Sequence, residues 1–152
     1  MSLIEKLETD VELKGSAEQF HEVFCGRPHH ISNVSPAKIQ GVELHEGEWG
    51  KEGSIICWNY VHDGKAQIAK ELVEKVDPVK NLVTFKVIEG DLLNEFKSFK
   101  ATVQATPKGN CCVAHWTFEY EKLHPGVSHP EALLEFAAEL SKEIDAHVTS
   151  AN

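Results

Sequence analysis

A chain of 152 residues, 41% hydrophobic and 26% charged, can bury roughly 68–70% of its unfolded surface in one core, so intrinsic disorder and a need for disulfide or metal staples are excluded. Lys plus Arg total 15 against 24 Asp plus Glu, for a formal charge of -9. The acids are scattered along the chain and no basic stripe offsets them, which argues against nucleic acid or an anionic membrane surface as a partner.

The start, Met1-Ser2-Leu3-Ile4-Glu5-Lys6, lacks an apolar signal core, and no run approaches the roughly 18 apolar residues of a spanning helix. These features point to a cytoplasmic protein without integral membrane association. Cys25, Cys57, Cys111 and Cys112 form neither a CxxC pair nor a spaced framework, so they read as reduced structural thiols. The whole chain, residues 1–152, reads as one domain, monomeric or weakly dimeric.

Residues Leu3 to Leu13 alternate as an amphipathic strand, which Gly15 and Ser16 stop. Ser16 followed three residues later by Gln19 is a capping box for a helix carrying Phe20, Val23 and Phe24 on one face. Gly26-Arg27-Pro28 ends it, and Pro28 opens a second short helix that runs through Asn33 before Pro36. A run of six strands follows. Asp63-Gly64 is a two-residue type I′ turn pairing Ile55 to Val61 with Ala66 to Val76. Asp77 to Asn81 and Pro107 to Asn110 mark two further hairpins. In Pro130 to Val148, Leu133, Phe136, Ala137, Leu140, Ile144 and Val148 fall at helical spacing.

Register follows from the turns. A loop at 63 and 64 sets Tyr60 across from Gln67, Trp58 from Ala69 and Ile56 from Glu71. A four-residue loop at 107 to 110 sets Val103 opposite Ala114, Ala101 opposite Trp116 and Phe99 opposite Phe118. The shared face mixes large rings with small and polar side chains, as a largely apolar pocket does. Pattern leaves the alternative of an ordinary filled core open.

The order of elements, together with Arg27-Pro28-His29-His30-Ile31, Leu44 to Ser54, Trp58-Asn59-Tyr60, Val87 to Leu92 and Tyr120-Glu121-Lys122, resembles the major latex protein branch of the birch pollen allergen and pathogenesis-related class ten superfamily. The resemblance implies an α+β helix-grip fold, in which a curved seven-stranded antiparallel sheet wraps around a long C-terminal helix, with two short helices after the first strand. It also implies a cavity for a small hydrophobic ligand such as a lipid, steroid, phytohormone or flavonoid-like molecule, and a link to plant defence or stress.

The candidate lining is Phe20 and Phe24 from the first helix, with Ile56, Trp58, Tyr60, Ala69 and Glu71 from the first hairpin. Val83, Phe85 and Val87 come from the next strand, and Phe99, Ala101, Val103, Trp116 and Phe118 from the last hairpin. Leu133, Phe136, Ala137 and Leu140 complete it from the long helix. In the segment Glu46 to Gly53, Gly47, Gly50 and Gly53 flank Trp49, and the resemblance puts this loop beside the cavity entrance. No Gly-Lys-Ser/Thr follows, so it reads as a tight turn and not a phosphate cradle.

Nine histidines show no HxxxH or HExxH spacing, so no metal site is expected, and no cofactor is implied. Glu71 on the inner face is the carboxylate of most interest, because burial raises its pKa. It can anchor a ligand, pair with a lysine or act as a proton acceptor. A carrier without turnover is therefore the leading expectation. The alternative is a cavity enzyme of the plant alkaloid type using a carboxylate or phenol as general acid or base, and a ribonuclease comes third because the chain is acidic.

Overall fold

The computed structural model describes residues 4–150. Seven antiparallel strands form one sheet in the order β1-β7-β6-β5-β4-β3-β2. They are β1 (Ile4–Leu13), β2 (Ile39–Glu46), β3 (Ile55–His62), β4 (Lys65–Asp77), β5 (Leu82–Gly90), β6 (Phe96–Lys108) and β7 (Cys111–Lys122). Helix α1 (Ala17–His21) and helix α2 (Ile31–Val34) lie between β1 and β2, and the long α3 (Glu131–Ser150) closes the chain. The expected alternation of the first strand holds from Lys6 onward, since Ile4, Glu5 and Lys6 are all exposed; Leu3 lies outside the described residues.

α1 begins as its sequence dictates, with Gln19 N–H donating to Ser16 Oγ (3.1 Å) and Ser16 N–H to Gln19 Oε1 (3.0 Å). It does not continue as α-helix to Gly26. From Glu22 the turn widens to a π-turn through Gly26, which leaves Val23, Phe24 and Cys25 buried. Pro28 then opens a 3₁₀ turn, Pro28–His30, that leads into α2.

The β3–β4 hairpin has the expected register, with Tyr60 opposite Gln67, Trp58 opposite Ala69 and Ile56 opposite Glu71. Its turn residues, Asp63 (φ 53°) and Gly64 (φ 72°), both take the left-handed conformation of a type I′ turn. The β6–β7 hairpin differs from expectation by two residues. Lys108 pairs with Cys111, so Val103 faces Trp116, Ala101 faces Phe118 and Phe99 faces Tyr120. The loop is Gly109-Asn110 alone, and Pro107 belongs to the strand.

Pro107 is tolerated there because β5 pairs with β6 only as far as Leu82 opposite Gln104, followed by one bond from Ala105 N–H to the Asn81 carbonyl. Backbone N–H groups alternate sides along a strand, so the donor that Pro107 lacks falls where β5 has already ended. A slip of two preserves parity. The rings therefore stay on the concave face.

α3 packs on β1, β7, α1 and α2. Leu134, Ala137, Leu140 and Ile144 are buried, and so are the polar Ser141 and Asp145. Asp145 accepts from the backbone N–H groups of Lys14 (2.9 Å) and Gly15 (2.8 Å), tying the last turns of α3 to the corner where β1 ends. Glu143 accepts from Ser35 Oγ (2.7 Å) and Lys38 Nζ (3.2 Å), tying the same end to the chain leaving α2.

Asp145→Ala strands two backbone donors, one of them fully buried, and such a loss costs about 2–3 kcal/mol. Urea denaturation reads this as a lowered midpoint with an unchanged slope. An unchanged midpoint would mean that Asp145 is not an anchor.

Candidate functional site

The concave face and α3 line a hollow of about 100 Å³. The sheet contributes Trp58, Tyr60, Ala69, Glu71, Phe85, Phe99, Ala101, Trp116 and Phe118 to its wall, and Phe24 comes from the π-turn. Leu133, Phe136, Ala137 and Leu140 form its roof along the N-terminal half of α3. Period-two alternation brings the strand residues to one side; the sheet's curvature brings the outer strands within reach of each other.

Five candidate residues do not reach the hollow. Phe20, Ile56, Val83, Val87 and Val103 are all buried on the same side, at 4% exposure or less, but they do not line the hollow. Phe20 lies against Phe24, with ring centroids 5.6 Å apart. Val83 pairs with Val103, where α1 lies against β6. Ile56 and Val87 flank Glu71 in the ladders. Parity assigns a face, but distance along the strand decides between core and wall. Ile39 of β2 and Leu92 of the 3₁₀ turn Asp91–Asn94 do line the hollow. Neither gave a signal: Ile39 looks like any core residue of a strand, and the turn carrying Leu92 has no periodicity.

The wall is almost wholly apolar, and its polar groups are few. The Trp116 indole N–H donates to Ser141 Oγ (2.8 Å), which in turn donates to the Ala137 carbonyl (2.8 Å). Tyr60 donates its phenol proton to Gln67 Oε1 (3.1 Å). Its own pKa is pushed well above the usual phenol range by burial, by Glu71 and by Asp91.

Glu71 stands diagonally across the β3–β4 ladder from Trp58, and the β4–β5 ladder slips on either side of it. Glu71 is half-buried and lines the hollow, and burial raises its pKa to about 8. The nearby Trp58 indole acts in the opposite direction. That proximity is not a hydrogen bond of ordinary geometry: Trp58 Nε1 is buried and without a partner.

The glycine loop closes on itself. Glu48 N–H donates to Ser54 Oγ (3.0 Å), and that hydroxyl donates to the Glu48 carbonyl (2.7 Å). Gly47, at φ 91°, sits so close that an added Cβ would stand 2.4 Å from Ser54 Oγ. Gly53 N–H bonds the Val73 carbonyl (2.8 Å), Gly50 lies against Gly26, and Trp49 stacks on His29 with centroids 4.1 Å apart. Bonds within the loop and contacts to β4, Gly26 and His29 hold it as a packed turn.

Outside the hollow, His115 faces away from Trp116 and bridges Asp10 and Glu8 of β1. Cys111 is exposed and Cys112 buried, as opposite parities require, and burial pushes the Cys112 thiol up to about 11. Among the described residues no three His, Cys, Asp or Glu are grouped to hold a metal, and no helix is long and apolar enough to cross a membrane.

Residues 2–151 match the Pathogenesis-related protein Bet v 1 family. The chain belongs to that family. Within it the chain falls among the major latex proteins: it is 62% identical to MLP-like protein 31 of Arabidopsis thaliana over 97% of this chain and 87% of that protein. It is 61% identical to MLP-like protein 34 over 95% of this chain, spanning 46% of that longer protein.

The crystal structure of ginseng major latex-like protein 151 from Panax ginseng superposes with a TM-score of 0.93 at 45% identity, over 95% of this chain and 97% of that one. Norcoclaurine synthase from Thalictrum flavum, solved with dopamine and hydroxybenzaldehyde, shares the fold at 20% identity and a TM-score of 0.75, over 99% of this chain and 90% of that one.

The raised pKa of Glu71 has a stability consequence. The native state holds its proton between the model-peptide value near 4.5 and about 8, so this residue makes stability fall as pH rises across that window and leaves it level above. Glu71→Gln removes the slope. Between pH 5 and pH 8 its stability should rise relative to the parent by about 2–4 kcal/mol, read by denaturation at each pH. Parallel pH profiles would show that Glu71 is not buried as described.

Proposed function

We propose that this major latex protein carries a small hydrophobic or amphipathic ligand in the hollow between α3 and the sheet. The observation that carries the proposal is the wall itself: an apolar, ring-lined space of about 100 Å³ beside one half-buried carboxyl group and one indole N–H without a partner. Membership of a family built on a ligand-binding fold supports the same reading. A role in plant defence or stress, a cytoplasmic location, and a monomeric or weakly dimeric state are parts of this proposal.

Size constrains the guest. Typical ligand pockets measure roughly 300–1,000 Å³, so a lipid, steroid, phytohormone or flavonoid-like molecule enters only if the walls part. Of the lining side chains outside the sheet, Leu92, Leu133 and Phe136 are the half-buried ones. They belong to the 3₁₀ turn and to the first half of α3, whose polar ties, a Lys38–Glu139 ion pair (3.8 Å) and the Tyr120–His129 bond (2.7 Å) just ahead of the helix, are fewer than those of the second half. Opening is therefore assigned to that end.

Catalysis is the second reading, and Glu71 is the observation that favours it, since a carboxyl with a pKa near 8 can exchange a proton at neutral pH. Tyr60 offers little help, because its proton is committed to Gln67. Turnover abolished in Glu71→Gln with binding retained would support the enzyme; an effect on affinity alone supports the carrier.

At a hundredfold excess over Kd a ligand stabilises its protein by about 2.7 kcal/mol, which is roughly 5–10 °C in Tm for a chain of this size. Ala137→Leu fills part of the hollow from the roof. It should reduce that ligand-dependent rise by more than half, while the unliganded Tm stays within a few degrees of the parent. A panel of lipids, sterols and phenolics that moves neither Tm nor tryptophan fluorescence would overturn carriage.

A further inference from the structure

The hollow contains two tryptophans in different states. Trp116 has its N–H satisfied by Ser141, whereas the N–H of Trp58, a residue only 7% exposed, has no partner in the protein. A buried donor left unpaired costs roughly 1–3 kcal/mol. Beside it stands Glu71, set on the same face by the diagonal of the β3–β4 ladder. The remaining polar group of the wall, Tyr60, has already given its proton to Gln67. The polar corner beside the hollow is thus one indole donor, itself without accessible surface until a wall residue shifts, and one carboxyl group.

We propose that the hollow selects an uncharged ring compound of about one ring carrying a hydroxyl or carbonyl oxygen, with that oxygen accepting the Trp58 N–H beside the Glu71 carboxyl group. The inference rests on the ligand-carrier reading and narrows it. The volume sets the ring count: an apolar cavity of about 150 Å³ accepts benzene, and a hollow of about 100 Å³ reaches that size with a small displacement of a half-buried wall residue such as Phe136.

The donor sets the oxygen. A hydrocarbon would leave Trp58 unpaired, and an ammonium group would bring a donor against a donor. Burial keeps Glu71 protonated at neutral pH, so its O–H is a second donor for the same oxygen, while its carbonyl accepts from a hydroxyl. An ammonium ion would instead need Glu71 ionised in an apolar surround, which is costly.

Two isosteric pairs test this at pH 6: phenol against toluene, and benzyl alcohol against benzylamine. Binding to the whole protein is followed by the rise in Tm and by the ¹⁵N-resolved Trp58 indole resonance. Phenol should bind about tenfold more tightly than toluene, the equivalent of one hydrogen bond. Phenol should also move the Trp58 indole proton downfield where toluene does not. Benzyl alcohol should outbind benzylamine.

Trp58→Phe keeps a ring and removes the donor, so it should bring phenol down to the level of toluene while toluene is unaffected. The isosteric comparison in the parent protein stands even if that variant folds poorly. Equal binding of phenol and toluene, or preference for benzylamine, would overturn the selectivity and leave the carrier intact. Binding of none of the four would remove both.

Discussion

A seven-stranded sheet curved around one helix has more concave surface than the helix can fill, and the way α3 is fastened decides where the deficit falls. Its hydrogen-bonded side-chain fastenings lie in its second half: Ser141 to Trp116, Glu143 to Ser35 and Lys38, and Asp145 to the backbone at Lys14 and Gly15. Hydrogen bonds tolerate little slack, so that half is drawn close to the sheet and the adjoining helices. The first half presents Leu133, Phe136, Ala137 and Leu140, which have no such demand, and the hollow lies beneath them.

This division gives the molecule a rigid end and a compliant one. At the rigid end, α1, α3 and the β1 corner share buried contacts around Phe20 and Ile144, and Val83 and Val103 meet across their ladder. At the compliant end the covering is a 3₁₀ turn and the start of a helix, contributing half-buried aliphatic and aromatic side chains. Enlarging the hollow there by moving those side chains breaks dispersion contacts, each individually small, while the Tyr120–His129 bond (2.7 Å) holds the start of the helix on β7. A guest larger than one ring thus has a low-cost direction in which to push.

The chemistry of the hollow is set by what its polar groups lack. Trp116, Tyr60 and the glycine loop are all satisfied within the protein, which removes them as ligand contacts or anion sites. Glu71 and Trp58 are the exceptions, neighbours by register and incompletely paired. The carboxyl resolves the conflict by holding its proton; the indole has no comparable escape. That asymmetry connects the strand pairing to a preference among ligands.

The sequence by itself determined the element order, the faces and the β3–β4 register. Alternation, the Ser16–Gln19 capping box and Asp63-Gly64 are local signals whose physics does not depend on the rest of the chain. Local signals also placed Glu71 and Trp58 on one inner face, and they kept the β6–β7 rings inside despite a loop misjudged by two residues. Only the tertiary structure decided that Pro107 is a strand residue, since its tolerance depends on β5 stopping beside it. It also decided that Phe20, Ile56, Val83, Val87 and Val103 are core residues off the hollow while Ile39 and Leu92 are wall, and that Ser141 and Asp145 are buried anchors. Each of these turns on contacts between residues far apart in the chain. Spacing can assign a side chain to a face, but whether it meets another atom or an empty volume depends on how sheet curvature and helix position combine in space.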